Sequence, residues 1–74
     1  MSKPMRIPMT YRPTGETLTW TVTRERVWAH DGKYDAWLFT DHDGYTRFGG
    51  KTWAELRDRF CDRADGYDMA HRLS

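Results

Sequence analysis

The chain has 74 residues, with 12 Lys and Arg against 11 Asp and Glu, for a formal charge of +1. That length allows one small domain with a modest core. So even a balance supplies no general pull toward nucleic acid or a membrane surface, and a single cysteine, Cys61, excludes an internal disulfide.

Residues 1–16 hold all three prolines. Lys3, Arg6 and Arg12 precede the first acidic residue, Glu16. Met5, Ile7, Met9 and Tyr11 alternate with polar residues or proline, which is strand period, but prolines confine such a segment to a sheet edge or an arm. The segment is therefore expected as an extended basic arm. Residues 17–66 form the domain proper, and residues 67–74 a tail whose Tyr67, Met69 and Leu73 can dock.

The first expected strand covers residues 17–30, with Leu18, Trp20 and Val22 alternating with threonines. Strands over 33–42 and 45–49 follow. Asp31-Gly32 and Asp43-Gly44 link the three, because a tight primed turn needs positive φ and these residues tolerate it. Gly49-Gly50 end the third strand. Thr52-Trp53-Ala54-Glu55 has the pattern of a capping box. It opens a helix from about Trp53 to Ala64 that stops at Gly66. The expected fold is α+β: a three-stranded antiparallel β-meander (β-β-β-α) packed on one face by the C-terminal α-helix.

Two-residue turns set the faces. Phe39 then pairs with Phe48, and Arg26 with Trp37. One face holds Leu18, Trp20, Val22, Trp28, Trp37, Phe39 and Phe48, with Arg24 and Arg26 lying over rings at its rim. The helix packs there through Trp53, Leu56, Phe60 and Ala64, which recur at helical spacing. Cys61 reads as a small buried residue of that helix. The other face holds Val27, Ala29, Tyr34, Ala36, Leu38 and Tyr45, with Arg47 among them. One short helix cannot cover both sides of a sheet. The second face is left for the termini to fold over, for a second copy or for another partner.

Site chemistry is sparse. His30 and His42 fall at opposite ends of the second strand and cannot share an ion. His71 has no assignable partner. Asp41-His42-Asp43-Gly44 lacks the remaining ligand positions of a calcium loop. Gly49-Gly50-Lys51-Thr52 lacks the upstream glycine spacing of a phosphate loop. No nucleophile–base pair can be brought together, so neither an enzyme nor a cofactor nor a small-molecule substrate is expected. Neither a transmembrane run nor a signal peptide is read, and a cytoplasmic setting is expected.

From Tyr34 to Leu56 the order is strand, Asp-x-Asp-Gly turn, strand, then a capped helix with Ala54 and Leu56. That layout resembles the small β-β-β-α DNA-binding domains of phage-type integrases over about a third of the chain. The resemblance implies a sheet laid on DNA, with Arg6, Arg12, Lys33 and Arg47 as the contacts. Those domains are markedly basic and this chain is nearly neutral, so DNA binding stands as the alternative. The principal expectation is a non-enzymatic protein-binding accessory or inhibitor module of phage or mobile-element type. It would occlude a partner, or pair with itself, through Tyr34, Leu38, Tyr45, Arg47 and Val27.

Overall fold

A computed structural model describes residues 3–69 and 73. The elements run β1 (Met5–Tyr11), β2 (Glu16–Ala29), β3 (Gly32–Thr40), β4 (Thr46–Gly50), α1 (Trp53–Arg63) and β5 (Tyr67–Met69). The strands form one curled antiparallel sheet in the order β4-β3-β2-β1-β5. This corrects the three-stranded meander: the sheet has five strands, and the two extra ones come from the segments expected as arm and tail.

Packing explains the difference. In β1, Ile7 lies opposite Trp20 and Met9 opposite Leu18. Strand pairing is thus what brings Ile7 and Met9 into the core, where they are 6% and 0% exposed. The proline rule still operates locally. β5 flanks only Met9 to Tyr11 of β1, so Pro8 lies on the stretch whose far side carries no strand among the described residues. Docking of the tail is seen in β5 and in Leu73, which packs against the core. His71 lies outside the described residues.

The helix closes the core on one face. Thr52 is its N-cap, accepting from the Glu55 amide at 3.2 Å. Leu56 and Phe60 are fully buried and Ala64 nearly so. They meet Trp20, Val22 and Phe39. Trp20 sits at the centre of a ring cluster, with Phe60 at 5.1 Å, Tyr67 at 5.3 Å and Phe39 at 6.3 Å between centroids. Aromatic rings in such contact add about 0.5–1.5 kcal/mol per pair beyond area burial. Trp37 packs edge-on to Trp53 at 5.0 Å. Cys61 is exposed, correcting the buried expectation: it lies beside the stripe of Leu56, Phe60 and Ala64 rather than on it.

Two turns decide the register. The first is centred on His30-Asp31, with Ala29 opposite Gly32, one residue earlier than expected. Arg24 therefore faces Trp37 and Arg26 faces Asp35. A shift by two in pairing keeps every side chain on its face. The second turn is a three-residue loop: the Gly44 amide donates to the Asp41 carbonyl at 3.0 Å, and the Asp41 amide to the Tyr45 carbonyl at 3.4 Å. Gly44 has φ +84°, the left-handed residue that follows a type I turn in such loops. This odd change moves Phe48 opposite Leu38 and Arg47 opposite Phe39. Phe48 thus leaves the helix side, where it was expected, and Arg47 enters it.

A bulge at the Trp37/Leu38 rung then brings Gly50 opposite Trp37. Gly49 is buried there, and only glycine fits, because a Cβ would stand 2.5 Å from Leu56 Cδ1 and 2.9 Å from the Trp37 carbonyl oxygen. The bulge aims the chain off the sheet and into the helix.

Candidate functional site

β2 and β3 outrun the strands beside them. β1 stops pairing at Val22 and β4 at Trp37. Beyond those points, Thr23 to Ala29 and Gly32 to Ala36 make a two-stranded ribbon. The fourteen residues of β2 span about 45 Å at ~3.3 Å per residue, matching the 44 Å long axis of the molecule.

The outer face, opposite the helix, carries Val27 paired with Tyr34 and Leu38 paired with Phe48. Ala36 lies between the two pairs and is fully buried. Val27, Tyr34 and Leu38 are half-buried, and Phe48 is 43% exposed. Two cations cap this stripe: Lys51 Nζ lies 4.5 Å from the Tyr34 ring centre, and the Arg59 guanidinium 5.3 Å from that of Phe48. Toward β1 the same face turns to hydroxyls, with Thr10 opposite Thr17 and Thr21 opposite Arg6. No described strand packs over the stripe, and α1 reaches it through the Arg59 side chain.

The structure thus brings together three of the five residues expected at the partner surface: Val27, Tyr34 and Leu38. It separates the other two. Tyr45 is exposed in the loop before β4, out of line with the stripe. Arg47 is on the helix side, where its Nε and Nη2 each lie 3.2 Å from Asp41 Oδ2. Sequence reasoning missed Phe48 and Lys51. Asp41 itself gave the signal for Phe48, since an Asx residue opening Asp-x-Asp-Gly favours a type I turn.

Asp41 locks that loop from beneath. Its side chain is 2% exposed. Oδ1 accepts the Asp43 amide at 3.0 Å, and Arg63 Nη2 approaches Oδ2 at 3.7 Å. Burial pushes its pKa up, but the Arg47 hydrogen bond, the Asp43 amide and the charges of Arg47 and Arg63 outweigh it and hold the carboxyl below its ordinary value. Next to it, burial lifts the Tyr67 hydroxyl above the usual phenol range; Tyr11, Asp43 and Asp41 add to this and Arg63 opposes it. Every partner of Asp41 here is structural.

The cations expected at nucleic acid do not converge. Arg12 pairs with Asp68 at 3.2 Å and Arg47 with Asp41. Arg6 is on the outer face opposite Thr21, whereas Lys33 is on the other face opposite Trp28, about 23 Å further along β2. Lys33 Nζ lies 4.3 Å from the Trp28 ring centre, and Arg26 pairs with Asp35 at 3.2 Å. The Arg24 guanidinium lies over Trp37 at 4.9 Å, as expected of a rim arginine.

An open groove of about 460 Å³ runs between the helix end and β5, past Arg12, Cys61, Tyr67, Asp68 and Leu73. The Arg12–Asp68 ion pair occupies its polar wall. Among the described residues no three metal-ligating side chains cluster, and no helix is long and apolar enough to cross a membrane. No family model, curated protein or solved structure matches the chain.

Proposed function

We propose that this protein is a non-catalytic module that binds another protein through the outer face of its sheet and acts by occluding the surface it covers. The observation that carries the reading is the half-exposed stripe of Val27, Tyr34, Leu38 and Phe48 on the face opposite the core. The helix and both added strands serve the opposite face or the edge. Tyr and Arg are favoured at the centres of protein contacts, and here Tyr34 and Phe48 are flanked by Lys51 and Arg59. Those cations suit a partner with acidic residues around an apolar ridge.

The test is affinity measured against a protein recovered from native host extract and identified by mass spectrometry. Leu38→Asp and Phe48→Ala, each checked for a native circular dichroism spectrum, should weaken binding by tenfold or more. Unchanged affinity in both variants overturns the outer face as the contact. A complex that forms only with nucleic acid, and dissolves steeply with salt, overturns protein binding in favour of the DNA reading.

A further inference from the structure

The free edge of the ribbon has a feature that the outer face does not explain. From Thr23 to Ala29, β2 has no strand beside it on its outer edge among the described residues. Trp28 on this stretch is 77% exposed, more than any other large hydrophobic residue described. Lys33 occupies one side of its ring.

We propose that this edge pairs with the same edge of a second copy, antiparallel, about a two-fold axis through Val27. Closed homodimers require such self-complementary surfaces, and the charge pattern of β2 narrows the register. An axis through Glu25 sets Glu25 against itself and Arg24 against Arg26. An axis through Arg26 or Arg24 sets an arginine against itself. An axis through Trp28 sets Glu25 against Asp31. Like charges directly opposite one another destabilise a strand pair. The axis through Val27 avoids all of these. It sets Val27 against the partner's Val27, Arg26 against the partner's Trp28, Glu25 against the partner's Ala29 and Thr23 against the partner's Asp31.

In that register Arg26 reaches the indole that Lys33 leaves open, twice per dimer, as a cation–π contact. The ribbon does not repel itself, because Arg24, Arg26 and Lys33 balance Glu25, Asp31 and Asp35. The charged residues also act selectively: they bar the axes through Arg24, Glu25, Arg26 and Trp28; an axis through Thr23 needs the edge that β1 already pairs, and one through Ala29 sets Trp28 and Val27 against the turn residues His30 and Asp31. The two-fold axis stands perpendicular to the sheet, so both outer faces end up on the same side. The dimer does not depend on what those faces bind.

Cysteine crosslinking in a Cys61→Ser background tests this. Val27→Cys brings two thiols together across the axis, where opposed Cα atoms stand about 4.5–5.5 Å apart, within disulfide range. Glu25→Cys, on the same strand face, leaves its copies about 13 Å apart along the strand. Mild oxidation should link Val27→Cys almost completely and leave Glu25→Cys monomeric on a denaturing gel. Sedimentation should show a concentration-dependent dimer whose dissociation constant rises about tenfold in Trp28→Ala, through loss of two cation–π contacts. A monomer at millimolar concentration overturns the proposal. So does a dimer that Phe48→Cys links and Val27→Cys does not, since that dimer uses the outer face.

Discussion

The two ends of the β2–β3 hairpin share a backbone and differ in everything around it. Near Trp20, Val22 and Phe39, the pair is flanked by β1 and β4 and roofed by Leu56 and Phe60. Near Val27, Trp28 and Tyr34 the described residues form a two-stranded ribbon, whose faces carry the Arg26–Asp35 ion pair and ring–cation contacts. A two-stranded hairpin alone is marginal in water, so the ribbon borrows its order from the body. The buried core is concentrated at one end, and the most exposed large apolar residue, Trp28, is at the other. That division leaves the ribbon residues contributing less to folding than those of the body.

The comparison breaks most sharply at Phe60. Phe60→Ala empties the site between Trp20 and Phe39 and should cost about 3–5 kcal/mol in urea unfolding; a loss under ~1 kcal/mol would mean that the roof is not what holds the body. Asp41→Asn comes next. It removes the carboxylate beneath the second turn while Arg47 and Arg63 keep partial access to water, for a loss of about 2 kcal/mol. The same residue sets an acid limit. Its folded pKa lies below 3.8, so its contribution is complete above about pH 4 and is lost as pH falls through the folded value. Stability measured against pH should be flatter below pH 4 in Asp41→Asn than in the native protein, and parallel curves would rule this out.

Thr52→Ala removes the helix cap and should cost about 1 kcal/mol, read as a lower thermal midpoint. At the far end, Trp28→Ala should change unfolding stability by no more than about 0.5 kcal/mol under dilute conditions. A larger loss would tie the ribbon into the core and erase the contrast. Hydrogen exchange sharpens the same point: amides of residues 24–34 should exchange ahead of those around Trp20 and Phe39.

Much of the architecture was readable locally. Thr52 to Glu55 specified the start of the helix, and the spacing of Leu56, Phe60 and Ala64 its buried stripe. The alternation of Leu18, Trp20 and Val22 chose the core face of β2, and Asp-Gly placed both reversals within a residue. The placement of Val27, Tyr34 and Leu38 together on the outer face followed from these signals. Whether Asp43-Gly44 closes a two- or a three-residue loop did not follow from the local pattern, and that one residue exchanged Phe48 for Arg47 between the faces.

Local chemistry, then, determined which stretches extend, reverse or coil, because φ preferences, capping and side-chain period act within a few residues. Only the folded chain decided that residues 5–11 and 67–69 join the sheet, because their gain comes from covering Trp20, which lies beside them in space and not in sequence. The same holds for the bare ribbon. It exists because β1 and β4 end early against a β2–β3 pair that continues, and strand lengths become a surface only when they are laid side by side.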